Sequence, residues 1–198
     1  GKGVAIVSDT AMFKDLELII TERARLGIPM VIRSAGGAGG RVHVEHTLKI
    51  IHDIIQKHGL EDLETAVVWG DIDKELVRRK QAEGKVHPLG RAVKPLTPQR
   101  LDETNAIVAQ MGHEPILKAL QSGAKLVVCG RAYDPSPFAA VTAYYGFSLD
   151  YGYHVGKILE CAALCAVPGT TKDCMMGTVD HNGFVVEPLS DKRRCTKL

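Results

Sequence analysis

The chain has 198 residues, with 25 Lys plus Arg against 23 Asp plus Glu and a formal net charge of +2. That balance argues against the basic footprint of a nucleic-acid or anionic-membrane binder, and 5% aromatic residues with one tryptophan argue against a base-stacking platform. A hydrophobic content of 45% is enough to build a core, and no uncharged apolar run reaches the roughly 18 residues of a membrane span.

Val4–Val7 reads as a first short strand ending at Ser8 and Asp9. A helix from Lys14 to Leu26 follows, with Leu16, Ile19, Ile20 and Ala24 on its apolar face. Gly27 stops it, and Pro29–Ser34 reads as a second strand. Beyond a glycine-rich run, a helix from Val42 to Lys57 turns Val44, Leu48, Ile51, Ile54 and Ile55 to the core and ends at His58-Gly59. Thr65–Asp71 reads as a third strand and Lys74–Glu83 as a charged helix. In the Pro-rich basic loop from Val86 to Pro98, Thr97 is placed to cap a helix opened by Pro98. A helix from His113 to Gln121 leads into a fourth strand, Ala124–Gly130, and then into helices Pro137–Tyr145 and Gly152–Ala166. Cys174–Val179 and Phe184–Glu187, joined through Asn182-Gly183, read as a hairpin.

Alternating helices and Val/Ile-rich strands imply an α/β fold with a Rossmann-like, doubly wound parallel sheet over residues 1–171. The hairpin segment at 172–198 then opens a second, incomplete β-containing domain. A start without Met and a basic, uncapped ending read as those of a piece of a longer chain. Five cysteines, at 129, 161, 165, 174 and 195, lack CxxC spacing, so reduced thiols in a cytoplasmic protein are expected.

Open α/β sheets bind ligands beyond the carboxyl ends of their strands. That rule collects Asp9, then Ser34 with Gly36, Gly37, Gly39 and Gly40, then Asp71, and finally Arg131 and Asp134. Between a strand and a helix, such glycines let backbone N–H groups converge where the helix dipole is positive, which suits a carboxylate, a phosphate or an oxyanion. The same run also serves as a tight turn. It is not a dinucleotide fingerprint, because Val42 stands where the third glycine belongs, and no Gly-Lys-Ser/Thr of a P-loop follows. His43, three residues before His46, is either half of a metal site or an acid/base beside the glycines. No third ligand follows at a recognised spacing, so no metal is assigned, and a divalent ion stays an open alternative. Arg131 either clamps a substrate carboxylate or pairs with Asp134. His154, Lys157 and Cys161 share a helical face, and His113-Glu114 sits where a helix cap belongs.

The runs SAGGAGG at Ser34–Gly40, MGHEP at Met111–Pro115, VVCGRAYD at Val127–Asp134, KILECAA at Lys157–Ala163 and VVEP at Val185–Pro188 together resemble the AtuA-type acyclic terpene utilisation family. The resemblance implies a Rossmann-like N-terminal portion, a role in small-acid or acyl-CoA catabolism, longer family chains and a small companion domain or subunit. Arg41 stands where an acidic residue is expected in some relatives, which favours an anionic ligand over a metal at the loop.

Two functions follow. One is a lyase or hydratase acting on a small carboxylic acid or a CoA thioester, with the glycine loop and Arg131 as clamp and His43 or Asp71 moving the proton. The other is a non-catalytic subunit that binds a phosphate-bearing metabolite and needs no base. Either works on a small molecule, as a homo-oligomer or with a companion small subunit, and neither calls for nucleic acid or membrane.

Overall fold

The computed structural model describes residues 4–196. Ser8, in extended backbone, accepts the Ala11 amide and starts helix α1, Asp9–Leu26, which Gly27 ends at φ 67°. The helix therefore begins earlier than expected, and Val4–Val7 is irregular rather than a strand. The physical reason is local. The chain is already turning into the Ser8 cap, and the Ile6 side chain lies across Gly37 instead of along a sheet edge.

The remaining elements are β1 Met30–Ile32, α2 Arg41–His58, β2 Thr65–Val68, α3 Lys74–Ala82, α4 Pro98–Glu103, α5 Glu114–Gln121, β3 Leu126–Cys129, α6 Ser136–Tyr144 and α7 Leu149–Leu159. Thr97 caps α4 ahead of Pro98, as the sequence predicts. Three strands, not the expected four, form a parallel sheet in the order β1-β3-β2, with Val31 and Ala66 both opposite Val127.

All four β3 residues are buried, so both faces of the sheet need cover. Leu126 and Val128 join Leu16, Ile20, Val44, Ile51 and Ile54 from α1 and α2. Val127 and Cys129 point the other way, onto Ile116, Leu120 and Ala140 of α5 and α6. Each fully buried aliphatic side chain of this kind contributes about 1.5–3 kcal/mol. Glu17 ties α1 to the end of α2 through His58 at 2.8 Å and Lys57 at 2.7 Å. Those bonds, His58 foremost, hold its carboxyl below the usual carboxylate value.

Helix α7 stops at Leu159 rather than at Ala166, because Ala162 takes φ 55° and a short 3-10 turn, Ala162–Cys165, replaces the last turns. Strands β4, Met175–Val179, and β5, Phe184–Pro188, form a separate antiparallel hairpin. Asp180 closes its turn by accepting the amides of Asn182 and Gly183. The hairpin folds back on α7: Gly177 lies against Val155 and Leu159, and the Phe184 ring meets His154 at 5.0 Å.

Candidate functional site

Glycines in the loops that follow the three parallel strands touch one another. A Cβ at Gly39 would lie 2.3 Å from the Arg131 nitrogen, and one at Gly130 would lie 2.6 Å from the Gly70 nitrogen. Much of the glycine loop's hydrogen bonding is internal. Ala35 N–H donates to Cys129 O at 3.0 Å, Gly37 N–H to Ser34 O at 2.8 Å, and Gly39 N–H to Ala35 O at 3.1 Å. Ser34 is buried at φ 46°, and its Oγ accepts the Ala132 amide at 3.4 Å. The run is thus a tight turn locked to the end of β3, and it aims the start of α2.

Gly40 opens α2 without a side-chain cap. Asp71, beyond β2, fills that role: its Oδ1 accepts the Arg41 N–H at 3.0 Å. Its other oxygen, Oδ2, is buried without a hydrogen-bond partner, and so is His43 Nδ1. Both residues line one cavity of about 540 Å³, together with Arg41, Val42, Asn105 and Val108. Gly36 packs against His43, where an added Cβ would come within 2.9 Å of the His43 Cβ, so a side chain at position 36 would displace the histidine. The far wall is held by backbone bonds from Ile72 N–H to Ile107 O at 2.9 Å and from Ala109 N–H to Gly70 O at 2.7 Å. An unpaired buried polar atom costs roughly 1–3 kcal/mol, so a ligand that pairs both atoms gains what the free protein lacks. The cavity volume lies within the usual range of small-molecule sites.

The other candidate residues are distributed around this centre. Asp9 pairs with His46 at 2.9 Å on the surface, which separates His46 from the buried His43. Among the described residues no three His, Cys, Asp or Glu side chains are grouped to hold a metal ion. Asp134 pairs with Arg33 at 2.5 Å, so the alternative Arg131–Asp134 pair does not form. Arg131 bonds through its backbone to Gly39 and Met111, and its side chain is not part of the cavity wall. A neighbouring cavity of about 450 Å³ is lined mainly by apolar groups such as Ile6, Met12 and Leu16 and holds neither unpaired atom.

His113 makes no capping bond from its side chain; its Nδ1 meets the Tyr153 hydroxyl at 2.9 Å. Lys157 pairs with Glu160, a bond that raises its pKa. His154 is occupied with the hairpin. Asn105 and Val108 carry no sequence signal. They reach the cavity only because residues 107–109 pair with residues 70–72. The guanidinium of Arg41 lies 4.3 Å over the Trp69 ring, a contact between the start of α2 and the loop after β2 that spacing does not reveal.

No helix among the described residues is long and apolar enough to cross a membrane. Comparison with curated proteins and with solved structures finds no match. The family model described as "Acyclic terpene utilisation family protein AtuA" matches residues 9–187. That match runs from the first residue of α1 into β5 and takes in His43, Asp71 and the whole cavity wall, so the chain belongs to the AtuA family of acyclic terpene utilisation proteins.

Proposed function

We propose that the protein is a catabolic lyase or hydratase acting beside the carbonyl of a small carboxylic acid or its CoA thioester. One observation carries this reading: His43 and Asp71 line one cavity, and each keeps one buried acid–base atom, Nδ1 and Oδ2, without a hydrogen-bond partner among the described residues. In the elimination direction His43 Nδ1 takes the proton from the carbon next to the carbonyl. The C–H electron pair becomes the double bond, and the β-hydroxyl leaves as water when His43 returns the proton. Asp71 stabilises the transient imidazolium, because Oδ1 is anchored on Arg41 and Oδ2 carries charge at the cavity wall. Hydration is the same sequence reversed. General acid–base catalysis of this kind is worth roughly 10²–10⁴-fold.

In this reading the parallel sheet covered on both faces is the core of a Rossmann-like layer, and Ser34 with the four glycines holds α2 so that His43 faces the cavity. The protein acts in the cytoplasm, as a homo-oligomer or beside a companion small subunit. Proton exchange tests the reading. In D2O, 3-hydroxybutyrate or its CoA thioester should gain deuterium at C2, and His43→Asn should abolish the gain while ligand binding persists. Absence of exchange with free acids and thioesters alike, with binding intact, would leave a non-catalytic binding subunit instead.

A further inference from the structure

We infer that Arg41, stacked on Trp69, is the residue that recognises the substrate's anionic group, and that this group is a free carboxylate on an aliphatic chain rather than a CoA thioester. The inference rests on the acid–base reading of His43 and Asp71 and names the substrate class for that site.

The anion-binding capacity of the α2 N-terminus is already engaged by the Asp71 carboxylate on the Arg41 amide. A substrate anion entering the same cavity therefore meets a negative charge and needs a cation to offset it. Arg41 is a cavity-lining cation. Its guanidinium is held over Trp69 at 4.3 Å, and its ion pair with Glu45, one turn further on, is long and exposed at 3.9 Å, outside hydrogen-bond reach and weak enough for a bound carboxylate to displace. Contact with the ring restrains the guanidinium, and the half-exposed side chain keeps N–H groups for a bidentate carboxylate.

Position and lining then choose between acid and thioester. Arg41 and His43 leave α2 in different directions but line the same cavity of about 540 Å³, so a small acid held by its carboxylate on Arg41 keeps its chain inside the space that His43 borders. In a thioester the acyl carboxyl is neutral, and the phosphates lie at the far end of the pantetheine arm, beyond the span of one helical turn. Ala38, Val42, Ala106 and Val108 supply the hydrocarbon wall that an aliphatic chain would cover, and His43 in the same lining is more than nine-tenths buried with Nδ1 unpaired.

Trp69 is the chain's one tryptophan, so binding at Arg41 reports itself. Titration with hexanoate should change Trp69 emission saturably, whereas hexan-1-ol should not, and hexanoyl-CoA should bind more weakly than the free acid. By calorimetry, Arg41→Ala and Arg41→Gln should each weaken hexanoate roughly tenfold or more at an unchanged unfolding midpoint, and Arg41→Lys should recover part of the loss. Hexanoate binding equally tight in both neutral variants, no hexanoate binding at all, or tighter binding of hexanoyl-CoA overturns the inference. Deuterium exchange separates the two readings. Exchange that persists in Arg41→Ala with unchanged KM sinks the role of Arg41 alone, whereas Arg41-dependent binding with no exchange in any substrate sinks the acid–base reading.

Discussion

The carboxylate of Asp71 accepts the backbone N–H of Arg41 at 3.0 Å across 30 residues of sequence, capping a helix whose own N-cap residue, Gly40, has no side chain to do so. One carboxylate oxygen thus serves the fold, and the other is buried without a partner in a residue that lines the same cavity as His43. The two duties can be separated by substitution.

Asp71→Asn keeps an oxygen on the Arg41 amide and removes only the charge, whereas Asp71→Ala removes both. Urea unfolding should show the alanine variant destabilised by about 1 kcal/mol, the usual worth of a helix cap, and the asparagine variant by much less. Proton exchange should fall in both. Equal destabilisation by the two substitutions would show that the capping bond contributes nothing.

The two histidines near the start of α2 have opposite surroundings. His46 makes an exposed pair with Asp9, a contact worth at most about 1 kcal/mol, whereas His43 is buried with an unpaired nitrogen. His46→Ala should leave deuterium exchange unchanged, and His43→Asn should lower it by roughly 100-fold or more. A loss of that size in the His46 variant instead would move the base to His46.

Gly39 and Gly84 share nearly the same backbone conformation, φ 68° and 67°, but an added Cβ meets the Arg131 nitrogen at 2.3 Å in the first and nothing within 4 Å in the second. Left-handed strain alone costs an alanine about 1–2 kcal/mol, so Gly84→Ala measures that component. Gly39→Ala should cost roughly a further 1–3 kcal/mol by overpacking the loop on the end of β3. Indistinguishable unfolding midpoints would mean that the glycine contact yields freely.

Burial pushes the Cys129 thiol up from its ordinary 9.0 to about 12. Iodoacetamide at pH 8 should therefore spare Cys129 in the native protein while modifying the exposed Cys161, Cys165, Cys174 and Cys195, as peptide mass spectrometry would show. The thiol also affects alkaline stability. Above pH 9 the unfolded chain loses this proton while the folded one keeps it to about pH 12, so stability falls across that window and is untouched below it. Replacement by Ala should flatten that part of the pH profile; an unchanged slope would place the alkaline sensitivity elsewhere.

Elements that depend on close neighbours were legible in the residues. The Val-rich runs of β2 and β3, the Thr97-Pro98 helix start and the Asn182-Gly183 turn each follow from a few adjacent side chains. Val4–Val7 was not legible, because an apolar run becomes a strand only when a ladder partner is present, and here the Ser8 cap takes the chain away. The apolar pattern after Gly152 continues past Leu159, but the backbone leaves the helix at Ala162.

The site divides the same way. His43 and Asp71 were identifiable singly, as polar groups at strand and loop ends. That both residues line one cavity, with Val108 in its wall, required the pairing of residues 70–72 with 107–109. Asp134 has Arg131 close in sequence yet pairs with Arg33, because the adjacent ends of β1 and β3 bring Arg33 beside it. Periodicity along a chain records which side of each element is apolar. Which loops meet above the sheet is decided by the strand order β1-β3-β2, and that order brings Gly39, Gly70 and Gly130 into contact and places Asp71 on the start of the helix that carries His43.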